Sequence, residues 1–231
     1  MNNEQTIWTF LLSMLGNPYG TAAVMGSFYI ESRLDPSLLQ STYAKKMGMT
    51  SAEYTAKTDS GEYPADSFIN DHAGYGLAQW TYWSRKESLL NYAKSMGRSV
   101  GDLNTQLQFF WNELQSYKTA LNALKTATNI RDASDVFTKR YEKPADTSDT
   151  ALKRRADKAQ EYYDMFVGIT KNPMVRITAD KVNVRTGPDK KNPAVFRTDK
   201  GNKFQYYATD ENGWNGIVLW VHPDYSEVVD Q

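Results

Sequence analysis

The sequence contains no cysteine and only two histidines, His72 and His222. The absence of cysteine excludes disulfides, thiol catalysis and metal sites built on thiolates. With two histidines, a metal site made of imidazole ligands is not expected either. We therefore predict that the protein uses neither a metal ion nor another cofactor.

The sequence also lacks an excess of charge and a long apolar run. It has 27 basic and 27 acidic residues, and eight of each lie from Met174 onward. Because neither part of the chain is basic, nucleic acid is not expected as a partner. The first apolar stretch, in MNNEQTIWTFLLSMLG, is too short for a secretory signal or a membrane span. We expect no signal peptide and no membrane insertion.

Aromatic residues are in excess, with 15 Tyr, 9 Phe and 6 Trp making up 13% of the chain. Aromatic rings fill protein cores, and they also offer flat faces to sugars and peptides. Composition alone leaves both uses open. The length of 231 residues allows one large domain or two modest ones.

The hydrophobic pattern predicts helices in the first part of the chain. Asn17-Pro18 provides an N-cap followed by proline at the first helical position, which is a strong helix-start signal. Residues 58–80 lack a helical period and predict an irregular loop or a small hairpin. Helices are expected over residues 4–15, 18–31, 84–97, 103–126, 130–141 and 149–167, with one or two short helices within 37–57.

After residues 170–173 the pattern changes to short alternating runs interrupted by Gly, Pro, Asn and Asp. This change is typical of a small all-β unit. The predicted fold class is multidomain, with a mainly α (α+β) domain over residues 1–169 and a small all-β domain over residues 174–231.

Glu31 lies at the end of the second predicted helix, on the same stripe as Val24, Ser27 and Phe28. A carboxyl group beside apolar side chains loses hydration of its charged form, so its pKa rises and it can act as a general acid. The alternative is a helix-end glutamate that faces solvent or caps a turn. The helix pattern by itself favours that alternative.

The segment DHAGYGLAQW, residues 71–80, combines several groups suited to a sugar. Gly74 and Gly76 allow the backbone to approach a ligand closely. Gln79 offers an amide donor and acceptor that match an acetamido group, and Trp80 offers a stacking face. The alternative is a glycine-rich turn that packs on the core.

Glu31-Ser32, followed 45 residues later by Gly76-Leu77-Ala78-Gln79, resembles two motifs of goose-type lysozymes and lytic transglycosylases. The segments YIESRLDPSLLQ, HAGYGLAQWTYWSRK and RYEKPAD, in that order, are more similar to the phage tail lysozyme family of that superfamily. The similarity covers roughly residues 5–165. It implies a lysozyme-like domain that cleaves the β-1,4 bond between N-acetylmuramic acid and N-acetylglucosamine in peptidoglycan.

The resemblance also implies roles for individual residues, with Glu31 as the catalytic acid. Gly76 and Gln79 are expected to line the cleft, with Tyr141 on its far wall. The substrate-binding residues predicted in this way are Ser32, His72, Tyr75, Gly76, Gln79, Trp80 and Tyr141.

A hydrolase needs a second carboxylate to position water, and Asp71 is the best candidate because goose-type enzymes have an Asp shortly before their glycine-leucine motif. His72 could orient either group or form hydrogen bonds within its loop. Glu142 is another acidic candidate, although its segment suits a helix end stopped by Pro144. A lytic transglycosylase needs no second carboxylate, because a hydroxyl of the muramic acid itself attacks.

In the C-terminal part, VNVRTGP (182–188), ENGW (211–214) and LWVHPDY (219–225) resemble bacterial SH3-like domains. The resemblance implies a small barrel that binds the stem or cross-bridge peptides of peptidoglycan, through Trp214, Trp220 and Tyr225. The sequence departs from the pattern because a hairpin that usually separates the two tryptophans is missing. An alternative is a barrel whose exposed aromatic residues pack on the first domain.

Together these features predict a phage endolysin that hydrolyses the wall of a Gram-positive host. The expected partners are the peptidoglycan glycan strand and its stem or cross-bridge peptides. Without a signal peptide, it would be made in the host cytoplasm and reach the wall through holin pores. The alternatives are a lytic transglycosylase that forms 1,6-anhydromuramic ends, a virion or conjugation component that opens a local hole, and a catalytically silent wall-binding module.

Overall fold

The computed structural model describes residues 3–167, 174–209 and 212–217. The chain divides into two compact units, Met1–Val167 and Gly168–Gln231. The first unit is helical, and the described part of the second consists of short strands, in the order that the sequence pattern predicts. The predicted boundary at residues 170–173 lies outside the described residues.

The helical unit is built from ten described α-helices, and a π turn at Thr138–Glu142 continues the ninth. None of the helices in the described part of the chain is long and apolar enough to cross a membrane. The helices are α1 (Asn3–Leu15), α2 (Pro18–Ser32), α3 (Ser41–Met47), α4 (Ser51–Ser60), α5 (Ala65–Asn70), α6 (Trp83–Ser95), α7 (Leu103–Leu114), α8 (Lys118–Lys125), α9 (Ile130–Phe137) and α10 (Asp149–Phe166).

Helix α2 lies at the centre of this unit, with every residue from Gly20 to Phe28 buried. It begins as the sequence predicts, since the Asn17 side chain accepts a hydrogen bond from the backbone N–H of Gly20 and Pro18 follows the cap. It ends at Arg33, which adopts a left-handed conformation with φ 57°. A helix buried on all sides carries no amphipathic pattern, so its surroundings cannot be read from periodicity.

Two glycines let neighbouring helices approach α2 closely. A Cβ added at Gly20 would lie 2.1 Å from the Leu124 carbonyl oxygen of α8. A Cβ added at Gly26 would lie 2.6 Å from the Arg155 carbonyl oxygen of α10. Both contacts are with backbone, which cannot rotate away as a side chain can. The approach of α10 brings Arg155 to the face of α2 that ends in Glu31.

The structure differs from the sequence-based expectations in three places. Residues 58–80 contain helix α5, whose Phe68 is buried between the rings of Tyr54 and Tyr75. The single helix expected over 103–126 is two helices, and the break at Tyr117 places its ring against the edge of Tyr141, 5.0 Å away. The helix expected over 130–141 ends in the π turn. Each difference depends on tertiary packing that no local signal reports.

The described part of the C-terminal unit consists of five short strands, all paired antiparallel. Strand β4 lies between β1 and β5 in one sheet, and β2 pairs with β3 in another. The rings of Phe196 and Phe204 lie 5.9 Å apart. A closed SH3-like barrel remains a prediction. The strands are β1 (Met174–Arg176), β2 (Val182–Arg185), β3 (Ala194–Thr198), β4 (Lys203–Thr209) and β5 (Asn215–Ile217).

Gly26→Ala is expected to lower the free energy of unfolding by about 1–3 kcal/mol, because the added methyl group forces α10 away from α2. Urea denaturation measures the change. The matched control is Ser88→Ala on the exposed face of α6, which we expect to shift stability by less than about 0.5 kcal/mol. Equal stability of Gly26→Ala and the wild type would mean that the two helices do not pack this closely.

Candidate functional site

A pocket of about 490 Å³ opens at the end of α2 in the helical unit. Its wall combines the end of α2, the turn over residues 74–82, the start of α6 and the end of the π turn. The segments are far apart in sequence and meet only in the folded chain. The residues that line the pocket include charged, amide and aromatic side chains, namely Glu31, Gln79, Tyr82, Arg85, Glu142 and Lys143.

Glu31 reaches this pocket from the last turn of α2, and its side chain is 21% exposed. The buried guanidinium of Arg155 on α10 donates a hydrogen bond of 2.5 Å from Nη2 to Glu31 Oε1. No acceptor for Arg155 Nε is found among the described residues. The ion pair with Arg155 therefore fixes the orientation of the Glu31 carboxyl group in the pocket.

Glu142 is the second carboxyl group of the pocket and the last residue of the π turn. Its Oε1 accepts a hydrogen bond of 3.2 Å from Ser27 Oγ, one helical turn before Glu31 on α2. Burial, together with the negative charge of Glu31, raises the pKa of Glu142 to about 8, although Arg85, Arg155 and the Ser27 hydrogen bond act in the opposite direction. Near neutral pH this group therefore holds a proton.

Gln79 is fixed by the turn that also forms the pocket floor. The turn closes through paired hydrogen bonds between the backbones of Tyr75 and Trp80. Gln79 Nε2 donates to the carbonyl oxygens of Leu38 at 3.0 Å and Gly76 at 3.1 Å. Its Oε1 lies 2.8 Å from where a Cβ of Gly74 would stand, so a larger residue at position 74 would displace the Gln79 amide. The amide is oriented before any ligand arrives.

Ser32 joins α2 to this turn, and Gly76 packs against Gln106 of α7. Ser32 is buried, and its Oγ donates to the Leu77 carbonyl oxygen at 3.0 Å. Gly76 has φ 74°, and a Cβ there would meet the Gln106 amide at 2.6 Å. The sequence predicted both residues at the substrate, but the structure places them behind the pocket, where they set the distance between the turn and Glu31.

Three aromatic residues predicted to bind substrate lie in the core: Tyr75, Trp80 and Tyr141 are each at most 1% exposed. Burial leaves no ring face free for a sugar. The aromatic residue that lines the pocket is Tyr82, which is 61% exposed. The ring of Trp83, itself 47% exposed, lies 5.9 Å from it.

Glu113 on α7 connects the elements behind the pocket. It accepts hydrogen bonds from Tyr141 Oη at 2.5 Å and Trp80 Nε1 at 3.1 Å. Arg85 binds it in a bidentate pair at 2.7 and 2.8 Å. Burial alone would raise the pKa of Glu113, but the Arg85 charge and these hydrogen bonds lower it overall. Arg85 also lies over the Tyr141 ring, so the cation at the pocket is firmly held.

Asp71 does not line this pocket. Its carboxylate is 5% exposed and forms an ion pair with Lys86, whose side chain is fully buried. Tyr54 Oη donates to it at 2.5 Å and the Ala73 backbone N–H at 2.8 Å. Burial lowers the pKa of Lys86, which Asp71 partly opposes. These contacts fix the start of the turn and hold Asp71 outside the pocket lining.

His72, next to Asp71, is exposed and has φ 61°. It does not line the pocket that contains Glu31 and Gln79. His72 follows Asp71, which fixes the start of the turn, and this placement keeps His72 outside the pocket lining.

Arg155, Tyr82, Arg85 and Lys143 were not predicted from the sequence. Arg155 shares the buried stripe of α10 with Leu152 and Ala159, and a charged residue on an apolar stripe is the same signal that drew attention to Glu31. Tyr82 carries no such signal, because exposure of an aromatic residue depends on the fold around it.

The predicted wall-binding residues belong to the C-terminal unit. Trp214 is half-buried, immediately before β5. Trp220 and Tyr225 lie outside the described residues. Across the described parts of both units, no group of three or more histidine, aspartate or glutamate side chains could hold a metal ion.

Asp71→Asn is expected to lower the free energy of unfolding by about 3 kcal/mol, because Lys86 then stays buried without its counter-charge. Urea denaturation measures the loss, and the control is Asp157→Asn, whose carboxylate is largely exposed. Activity per folded molecule, assayed on cell walls well below the melting temperature, should be unchanged. Loss of activity with unchanged stability would instead indicate that Asp71 has a catalytic role.

A search of curated proteins found no match. The family model described as phage tail lysozyme matches residues 2–166, most of the chain and nearly all of the helical unit. The match confirms the family predicted from the Glu31 and Gln79 motifs, and the family implies a lysozyme-like glycosidase that acts on peptidoglycan. The chain therefore belongs to the phage tail lysozyme family.

Proposed function

We propose that this protein is a muramidase, which hydrolyses the β-1,4 bond between N-acetylmuramic acid and N-acetylglucosamine with Glu31 as the general acid. The observation that carries the proposal is that Glu31 and Gln79, one from each motif, line the same pocket. A catalytically silent module would not need a carboxyl group and an oriented amide at one concave site.

The pocket offers groups of the right chemistry for an amino sugar. The Oε1 of the oriented Gln79 amide can accept a hydrogen bond from the acetamido N–H, and the exposed Tyr82 ring suits the face of a pyranose. Lys143 supplies positive charge for the carboxylate of the muramic acid or its stem peptide. A glycan strand lying across the pocket would bring one glycosidic oxygen to Glu31.

In this mechanism, Glu31 donates a proton to the glycosidic oxygen as the bond to the anomeric carbon breaks. The sugar passes through an oxocarbenium-like transition state, and water adds to the anomeric carbon. Glu31 forms an ion pair with Arg155, so the mechanism requires that a proton be delivered to Glu31 before the bond can break. Bound glycan favours this step, because it excludes water and brings a neutral oxygen to the carboxyl group.

The main alternative is a lytic transglycosylase, which leaves 1,6-anhydromuramic ends. Such an enzyme needs only one carboxyl group, whereas this pocket contains two, Glu31 and Glu142. The second carboxyl group favours hydrolysis, in which a water molecule must lose a proton.

We propose two domains, a catalytic one over residues 1–169 and an SH3-like wall-binding one over residues 174–231, in a phage endolysin that acts on the wall of a Gram-positive host. Binding the stem or cross-bridge peptides would keep the catalytic domain at a high effective concentration near its polymer. A second candidate role is a virion component that opens a local hole in the wall, and the description of the family as tail lysozymes supports this role.

Glu31→Gln is expected to reduce release of sugar fragments from purified peptidoglycan by about 100- to 10,000-fold, because the amide has no proton to give at neutral pH. Mass spectrometry of the fragments identifies the ends. Reducing muramic ends from the wild type establish hydrolysis, and anhydromuramic ends assign the protein to the transglycosylases. The matched control is Glu161→Gln, an exposed glutamate on α10. If the Glu31→Gln variant were active, Glu31 would not be the general acid.

Deleting residues 174–231 is expected to weaken binding to intact walls and leave cleavage of soluble glycan fragments unchanged. The helical unit is compact by itself, and the proposed anchor contributes only local concentration. Co-sedimentation with walls measures binding, and fragment cleavage measures catalysis. Equal loss of both activities would mean that the C-terminal unit supports the fold of the first.

A further inference from the structure

The proposed hydrolysis needs a group that takes the proton of the attacking water, and Asp71 is held elsewhere by Lys86. We propose that Glu142 is this second catalytic carboxyl group and that it shares one proton with Glu31. The inference rests on the proposed function of the pocket and names the base of the same reaction.

The backbone places Glu142 for this role. In the π turn the Lys143 N–H donates to the Thr138 carbonyl oxygen at 2.8 Å, five residues back, and Lys143 then turns left-handed with φ 51°. The wide turn directs Tyr141 into the core and its neighbour Glu142 into the pocket. Such π turns within helices are frequent at functional sites.

The hydrogen bond from Ser27 fixes Glu142 against α2. Ser27 and Glu31 are separated by one turn of the same helix and lie on the same face. A carboxyl group that accepts a hydrogen bond from Ser27 Oγ is therefore close to the Glu31 side chain, and both line the pocket. Two carboxyl groups side by side in a partly buried site cannot both be ionised without a large electrostatic cost.

The charged groups around Glu142 decide which of the two carries the proton. They are Glu31 on α2, Arg85 on α6 and Arg155 on α10. Arg85 is neutralised by Glu113, and Arg155 donates to Glu31. Within the described residues, no cation lies within ion-pair distance of Glu142. In the proposed free site, Arg155 therefore pairs with Glu31, and the one proton of the pair resides on Glu142, consistent with the raised pKa of this group.

The reaction cycle balances with this single proton. When glycan occupies the pocket, the proton passes from Glu142 to Glu31, and Glu142 becomes a carboxylate. Glu31 then gives the proton to the glycosidic oxygen, the bond to the anomeric carbon breaks, and the leaving sugar departs with a hydroxyl group. Water bonds to the anomeric carbon and loses a proton to Glu142. The cycle ends with Glu31 ionised and Glu142 protonated, which is the state of the free site.

The test begins with Glu142→Gln in the full-length protein, assayed by release of reducing muramic ends from purified peptidoglycan. The amide keeps the shape of the group and cannot accept a proton, so hydrolysis should fall by about 100-fold or more. Binding to walls should stay at the wild-type level, as should the activity of the control variant Glu161→Gln. Wild-type activity in Glu142→Gln would overturn the proposal.

Chemical rescue separates catalysis from a structural role. In Glu142→Ala, azide ion is small enough to enter the vacated space and needs no base, since it has no proton to lose. We expect added azide to restore bond cleavage and to give a glycosyl azide, detected by mass spectrometry and NMR. No rescue of a folded Glu142→Ala protein would overturn the proposal.

The pH dependence of stability gives a readout independent of activity. The pKa of Glu142 is about 8 in the folded chain and near its ordinary value of 4.5 in the unfolded chain. The folded state therefore binds the proton more tightly, and stability falls as pH rises from about 4.5 to about 8. Glu142→Gln should remove this fall, so it should melt above the wild type at pH 8 or higher. Parallel melting curves of the two proteins against pH would contradict the shared proton.

Failure of this inference can be distinguished from failure of the proposed function. If the wild type releases no reducing muramic ends, hydrolysis itself is wrong, whatever Glu142 does. If the wild type hydrolyses the wall, Glu31→Gln is inactive and Glu142→Gln is fully active, then only the assignment of Glu142 is wrong.

Discussion

The burial of helix α2 is the constraint on which the rest of the helical unit depends. Nine consecutive residues, Gly20–Phe28, are inaccessible, so helices must pack against this one from several sides. Gly20 and Gly26 permit α8 and α10 to approach to backbone contact. The helices that pack against α2 therefore also determine what surrounds a polar side chain at its end. Glu31 therefore pairs with the guanidinium of Arg155 and lines the pocket, whereas a residue at an ordinary helix end would face water.

Three acidic side chains near the site show how partners decide what a carboxyl group does. Asp71 and Glu113 each have a direct cationic partner, Lys86 and Arg85, and each ties together elements that support the pocket. Glu142 is partly buried and has a hydroxyl group as its hydrogen-bond partner. A buried carboxyl group without a paired cation keeps its proton, which is the property that acid–base catalysis requires.

Much of the fold could be predicted from local signals. The Asn17-Pro18 cap, the helical stripes and the change to alternating patterns after residue 173 indicate the helices and the strands in their observed order. The short helix around Phe68, the break at Tyr117 and the π turn could not be predicted in this way. Each of these forms because a ring packs against partners that are distant in sequence, and a local pattern carries no information about such partners.

The sequence by itself was enough to predict the family and to select Glu31 and Gln79 as candidate site residues. The reason is that the segments that carry these residues occur in the order and at the spacing of the family motifs. Only the tertiary structure decided which other residues share their pocket. It placed Trp80, Tyr75 and Tyr141 in the core and Asp71 beside Lys86, and it brought Glu142 and Arg155 to Glu31. The physical reason is that burial and charge pairing are properties of contacts between elements, and those contacts exist only once α2, α10 and the π turn have packed together.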